Sequence, residues 1–213
     1  MSDLITTKLA YMASPKSVLD YGRNHGVHWA ADSFLDFSID TERLLLRACQ
    51  MEDADALTAL MTPEISKWVA AWPTPLSQQD TESILRNNIE AMQQGAVFAA
   101  VVVAKDSSDI IGWCKLDIAG DCAELGYWIG EEYQRQGFAM ELLQGAIDFA
   151  FSQLDVVSVR AGAQVANTAS LALLAKIGMT RDGIEAVWAP ARQRYEDCEF
   201  WSLRAPDKGL SDD

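Results

Sequence analysis

Histidine is scarce in this chain, cysteine is sparse, and positive charge is outnumbered. His25 and His28 are the only histidines, and no acidic or cysteine pattern surrounds them, so no metal centre is expected. Cys49, Cys114, Cys122 and Cys198 form no C-x-x-C pair and no zinc spacing. They read as reduced thiols of a cytoplasmic protein. Lys and Arg number 17 against 31 Asp and Glu, a net charge of −14. A nucleic-acid binder needs a basic patch to neutralise phosphates, so that class is set aside. The N-terminus lacks an uninterrupted apolar run, so neither a signal peptide nor a membrane span is expected. No repeat, linker or low-complexity tract divides the chain.

What is present is enough apolar material for one good core. At 213 residues and 49% hydrophobic composition, one domain is expected. We divide the chain into an extension of unknown role (1–38), a folded domain (39–205) and a frayed tail (206–213). In the extension, Leu4, Ile5, Leu9, Met12, Val18 and Leu19 stripe a short helix that Pro15 interrupts. An arm packed on the domain, a cover over a cleft and a dimer contact all remain open for it.

Along the domain, residues 41–47 read as a first strand, and 51–61 as a helix that stops before Pro63. An aromatic loop with Trp68 and Trp72 follows. Ser77-x-x-Asp80 opens a helix carrying Ile84, Leu85, Ile89 and Met92, which Gly95 ends. Residues 96–104 are a continuous apolar run, hence a strand buried on both faces. Polar turns then separate strands at 110–116 and 124–129, all antiparallel neighbours. A helix from Phe138 places Leu142, Leu143, Ala146, Ile147 and Ala150 on one face. Because that helix crosses over, the strand at 156–163 should lie parallel to the one at 124–129. Two parallel strands that part at one end leave a slot at their C-terminal edges, where ligands sit in open sheets. A helix at 167–177 and a strand pair, 179–188 and 196–203, complete the domain. The class is α+β, with a mixed, mostly antiparallel sheet of about seven strands flanked by helices.

The stretch from Glu124 to Ala150 organises the rest. A strand runs through Gln134-Arg135-Gln136-Gly137 into a helix at Phe138-Ala139. The N–H groups at such a helix start have no intrahelical partner and sit at the positive end of the macrodipole, so they can hold a pyrophosphate. Gly137 lets the backbone approach phosphate oxygens and take φ > 0. Alternation puts Glu124, Gly126 and Trp128 on one strand face, and Leu125, Tyr127 and Ile129 on the other. A carboxylate in an apolar strand is costly without a partner or a task.

Four pieces in order carry a family resemblance: Glu124-Leu125-Gly126-Tyr127-Trp128-Ile129, Gln134-x-x-Gly137-x-Ala139, Asn167-x-x-Ser170 and Lys176-Ile177-Gly178-Met179. Together they resemble the GNAT acetyltransferases, closest to the RimJ/RimL-type branch that acetylates the N-termini of ribosomal proteins. The likeness covers residues 41–203, and 124–179 is its specific part. It implies the GNAT fold with a splayed parallel strand pair, acetyl-CoA as co-substrate and a primary amine as acceptor. The acceptor it points to first is the α-amine of a protein or peptide N-terminus. A small-molecule amine acetylase and a non-catalytic module binding coenzyme A are the alternatives, as monomer or homodimer.

The resemblance also implies roles. Glu124 takes the place of the general base, often acting through water, with a structural carboxylate as the bland alternative. A backbone N–H near Trp128 polarises the acyl carbonyl, and Ile129 edges the pantetheine arm. Gln134, Arg135, Gln136, Gly137, Phe138 and Ala139 hold the phosphates; Ala139 stands where many relatives carry glycine. Asn167 bonds pantetheine amides or merely caps a helix. Ser170 protonates the leaving thiolate; many relatives use a tyrosine where Leu174 stands, so Ser170, water and no acid stay open. Trp68 and Trp72 line the acceptor site or cap the core. Tyr195, with Trp188 and Arg192, shapes the acceptor mouth or simply enters a strand.

Coenzyme A is a polyanion and this protein is acidic. Glu131 and Glu132 outnumber Arg135 near the loop, so binding must lean on N–H dipoles at close range, with repulsion screened beyond about 8 Å. The acidic surface suits a cationic acceptor, or only solubility. Deprotonating an α-amine of pKa near 8 at pH 7 costs about 1.4 kcal/mol, against about 4–5 kcal/mol for a lysine. An N-terminus therefore asks less of its base.

Overall fold

The computed structural model describes residues 35–154 and 156–206. The stripe around Pro15, both histidines and the tail beyond residue 206 lie outside the described residues. The strands are β1 (Ser38–Asp40), β2 (Leu44–Ala48), β3 (Val97–Ala104), β4 (Ile110–Ala119), β5 (Cys122–Ile129), β6 (Ser158–Gln164), β7 (Thr180–Ala189) and β8 (Arg194–Arg204). The helices are α1 (Ala54–Leu60), α2 (Pro63–Ser66), α3 (Gln78–Gln93), α4 (Phe138–Gln153) and α5 (Thr168–Lys176).

All eight strands form one sheet in the order β1-β2-β3-β4-β5-β6-β8-β7. That is one strand more than the expected seven. The addition is β1, which pairs Ser38 with Arg47 and Asp40 with Leu45 of β2. Phe37, just before it, is already in the core, edge-on to Phe98 at 5.2 Å. Three residues are too few to show a period, so β1 left no mark in the pattern. The return strand β8 inserts between β6 and β7, antiparallel to both, and leaves β7 at the sheet edge.

Elsewhere local chemistry explains the elements. β3 buries every position but Val103, as a run of AVV-type residues between helices and sheet neighbours must. Ser77 and Asp80 form the capping box of α3: Asp80 N–H donates to Ser77 Oγ, and Ser77 N–H to Asp80 Oδ2, both at 3.1 Å. The helix expected over 51–61 does stop before Pro63, with Met61 as its C-cap, and Pro63 then opens the next helix. It sits at the start of α2, where a missing N–H is harmless, with Thr62 as the cap. Helices α1 and α3 pack on one face of the sheet, over β4 and β3, while α4 lies across β1, β2, β4, β5 and β6.

The ladder between β5 and β6 is parallel, and it is short. It runs from Cys122↔Ser158 to Leu125↔Ala161 and stops. Past that point β5 stays paired with β4 as far as Ile129↔Gly112, and β6 with β8 as far as Gln164↔Cys198. Each strand continues, but no longer beside the other. The sheet is therefore split into a V at the C-terminal ends of its parallel pair.

Candidate active site

Two of the expected features meet at the mouth of the V. The turn into α4 places Arg135 at φ 61° and Gly137 at φ 87°, both left-handed. Among the described residues, no backbone N–H from Arg135 to Ala139 meets an acceptor. Left-handed turns aim successive N–H groups to one side, and the helix dipole adds to them, so a loop of this shape is able to accept an anion. The loop is pinned at its edges. Gln134 Nε2 donates to the Ile129 carbonyl at 2.9 Å, and Gln136 Nε2 to the Glu132 carbonyl at 2.9 Å. Phe138 is buried beneath it, and Ala139 half-buried. Arg43, a residue the sequence pattern did not single out, donates from Nη1 to the Gln136 carbonyl at 2.9 Å. Ninety-odd residues of separation hide such a contact from any local signal.

Glu124 lies on the β5 face that also carries Gly126 and Trp128. It pairs in register with Asp117 of β4 and Arg160 of β6. Its side chain keeps 55% of its surface exposed, and Arg160 Nη1 stands 3.9 Å from Oε2. The surrounding walls still remove enough water for burial to dominate its titration. Burial raises its pKa above the usual carboxylate range, Arg160 opposes, Asp117 and Glu185 reinforce, and Lys115 opposes weakly. Arg160 is itself shared, with Glu185 at 2.6 Å and with the Phe200 ring 3.7 Å beneath it. No Cβ built on Gly126 meets an atom within 4 Å, so the strand beside Glu124 fronts open space.

The opposite face of β5 meets α5. Asn167 is the N-cap: its Oδ1 accepts Ser170 N–H at 3.2 Å. Ser170 Oγ in turn lies 3.1 Å from the Tyr127 hydroxyl. That bond bridges β5 to the first turn of α5, past the last rung of the parallel ladder. Burial raises the Tyr127 pKa, and the Ser170 bond lowers it less, so the phenol stays protonated at neutral pH. Leu174 is fully inside the core and offers no hydroxyl.

The aromatic residues divide. Trp72 is a core residue, edge-on to Trp113 at 5.4 Å and to Trp128 at 5.2 Å, so it supports the floor of the cleft. The Trp128 indole N–H is buried with no acceptor among the described residues. Trp68 is half-buried under Lys67. Tyr195 stacks edge-on with Trp188 at 5.2 Å at the exposed tip of the β7–β8 hairpin. The hairpin is tied to the Trp68 loop. Arg192 donates to the Ser66 and Val69 carbonyls at 2.6 and 3.1 Å and clasps Glu196 at 2.7 Å. Gln164 bridges the Lys67 carbonyl and Glu196. Loop and hairpin thus form one wall beyond the β6 side of the V.

A diphosphate attached to a slender arm fits these residues: unpaired N–H groups at the mouth, a split in the sheet behind them, and an open strand edge at Gly126. Among the described residues, no group of His, Cys, Asp and Glu is arranged to hold a metal ion. None of their helices is long and apolar enough to cross a membrane.

Comparison with known proteins agrees. The family described as the acetyltransferase (GNAT) domain matches residues 43–180. An uncharacterized N-acetyltransferase, p20, of Bacillus licheniformis is 32% identical over 168 residues, 76% of this chain and 93% of that protein. The Salmonella typhimurium acetyl transferase that modifies the N-terminal serine of 50S ribosomal subunit protein L7/L12 superposes with a TM-score of 0.71 at 21% identity, over 80% of this chain and 100% of that one. RimL, a ribosomal L7/L12 α-N-protein acetyltransferase in complex with coenzyme A, superposes with a TM-score of 0.68 at 21% identity, over 79% and 98%. At those identities the two structures speak for the fold. With a split parallel pair and the matching family signature on one chain, this protein belongs to the GNAT family as an N-acetyltransferase that uses acetyl-CoA.

Proposed function

We propose that the acceptor is the α-amine of a protein or peptide N-terminus, and that Glu124 is the base that receives its proton. The observation that carries this reading is Glu124 itself: a carboxylate with raised pKa, half open to solvent, on a strand face that fronts open space at Gly126. A raised pKa makes a carboxylate a better proton acceptor near neutrality. The surrounding Asp117 and Glu185 favour a cationic visitor, and Arg160 opposes the upward shift that burial imposes on Glu124.

Bound acetyl-CoA supplies an acyl group activated by a leaving thiolate. The N–H groups from Arg135 to Ala139 hold its diphosphate. Ile129 and Asn167 flank the arm on either side of the V, Asn167 while still capping α5. Glu124 takes a proton from the ammonium, directly or through water, as the new C–N bond forms. Ser170 gives a proton to the departing sulfur. The Tyr127 hydroxyl, protonated and 3.1 Å from Ser170 Oγ, is able to donate to it, which would leave the serine hydrogen free to point elsewhere. Trp68 and Tyr195, on the joined loop and hairpin, contact the residues that follow the acceptor amine, while Trp72 packs against Trp128 beneath the cleft.

Thiol release measured on a panel of N-terminal peptides, polyamines and free amino acids tests the acceptor. Peptides with free α-amines turn over fastest on this reading; a polyamine outpacing them overturns it. Glu124→Gln slows turnover at pH 7 by about a hundredfold or more while coenzyme A binds normally. An unchanged rate removes Glu124 as the base.

A further inference from the structure

The turn that leads into β2 has no share in the chemistry above, yet it grips the phosphate loop at several points. Arg43 Nε donates to Glu141 Oε2 at 2.7 Å, while Nη1 holds the Gln136 carbonyl at 2.9 Å. Its guanidinium carbon stands 4.6 Å over the Phe138 ring. The Arg43 backbone N–H and the Thr41 hydroxyl both donate to the other oxygen of Glu141, each at 2.6 Å. A Cβ at Gly137 would come within 3.2 Å of Arg43 Nη2. One arginine therefore holds Gln136, covers Phe138, fills the space beside Gly137 and reaches the first turn of α4.

This arrangement answers two physical difficulties of the loop. Left-handed residues and unpaired N–H groups hold a shape only when their surroundings over-determine it. Glu141, in the first turn of α4, would by itself attract the free N–H groups at that helix end or repel an arriving phosphate. Its oxygens are instead turned to Arg43 and Thr41. Burial raises the Glu141 pKa, but the bonds from Thr41 and Arg43 outweigh this and hold it below the usual range.

We infer that Thr41, Arg43 and Glu141 form a clamp that keeps the Gln136–Phe138 backbone in its diphosphate-accepting shape, with Arg43 and Glu141 as positioning residues for the cofactor. The inference rests on the reading of that loop as the phosphate cradle. The clamp acts on one half of the ligand, the diphosphate, and not on the thioester.

The test compares Arg43→Gln, Glu141→Gln, their double variant and Arg43→Lys, each checked for a native thermal transition. Affinity for coenzyme A is measured by calorimetry, and kcat/KM is measured with S-acetylpantetheine, which carries the thioester but no diphosphate. Each Gln variant should lose about tenfold or more in affinity, as expected for a charge-assisted bond. The double variant should lose no more than the worse single, because the pair is one unit. kcat/KM for S-acetylpantetheine should stay within about twofold, since rim contacts far from the reacting atoms do not enter that transition state. Arg43→Lys should stay weak, since an ammonium cannot hold Gln136 and Glu141 together. Unchanged affinity in both Gln variants overturns the clamp. So does full recovery in Arg43→Lys, which reduces the effect to charge, or an equal loss with S-acetylpantetheine, which reduces it to general damage. Failure of the wild-type protein to bind coenzyme A instead overturns the loop assignment itself.

Discussion

Glu124 and Arg160 face each other across the last paired rungs of β5 and β6, and they pull the carboxylate's pKa in opposite directions. Desolvation favours the neutral acid, and the guanidinium 3.9 Å away favours the anion. A base works when ionised, so kcat/KM should fall as the pH drops through the raised pKa. Arg160→Gln removes the opposing charge and lifts that pKa further. The acid limb of the pH–rate profile should then move to higher pH; a limb that stays put or moves lower contradicts the pairing. The two buried thiols are no rivals here. Burial pushes Cys49 and Cys114 up to about 12, so neither supplies a thiolate near neutral pH. At this scale the pattern reveals which residues are chemically odd, such as a carboxylate inside an apolar strand. It cannot reveal their partners: Arg160, Arg43 and the Tyr127–Ser170 bond join residues with no local spacing in common.

Among elements, the β4–β5 ladder sets the fixed wall of the slot, and Gly112 is where it is tightest. A Cβ there would lie 2.4 Å from the Trp128 carbonyl oxygen, a backbone atom that cannot step aside. Gly112→Ala should lower unfolding stability by about 1–3 kcal/mol in denaturant titration. It should also displace the Trp128 end of the slot and raise the KM for acetyl-CoA. Stability equal to wild type would show that the two strands are looser than their register implies. The long elements could be read directly: α3 and α4 because burial of one face imposes its own period, and β3 because burial of both faces leaves an unbroken apolar run. The short ones could not: β1 is three residues long and α2 four, shorter than any repeat that would announce them.

For the whole molecule, charge is the governing term. At −14, the protein attracts cations over roughly a Debye length, about 10 Å at 0.1 M salt. Peptides with a lysine or arginine near the N-terminus should therefore show a kcat/KM that falls steeply between about 20 and 500 mM salt. Neutral peptides should change little, and equal salt dependence for both would detach the acidic surface from acceptor choice. The same charge repels coenzyme A at long range. Dipoles of the Arg135–Ala139 turn act only at contact, where screening does not reach them, so a cradle of N–H groups can prevail over the mean field.

Order along the chain was enough for the strand-loop-helix from Glu124 to Ala150 and its parallel return strand, because both rest on backbone periods and on one glycine that must turn left-handed. The class of chemistry came from the family resemblance that the four ordered motifs carry. Where the β5–β6 ladder ends, which side chains close around Glu124, and how Arg43 reaches Gln136 and Glu141 were decided only by the folded chain. Those depend on contacts between residues tens of positions apart, and such contacts exist only once the sheet has brought its edges together.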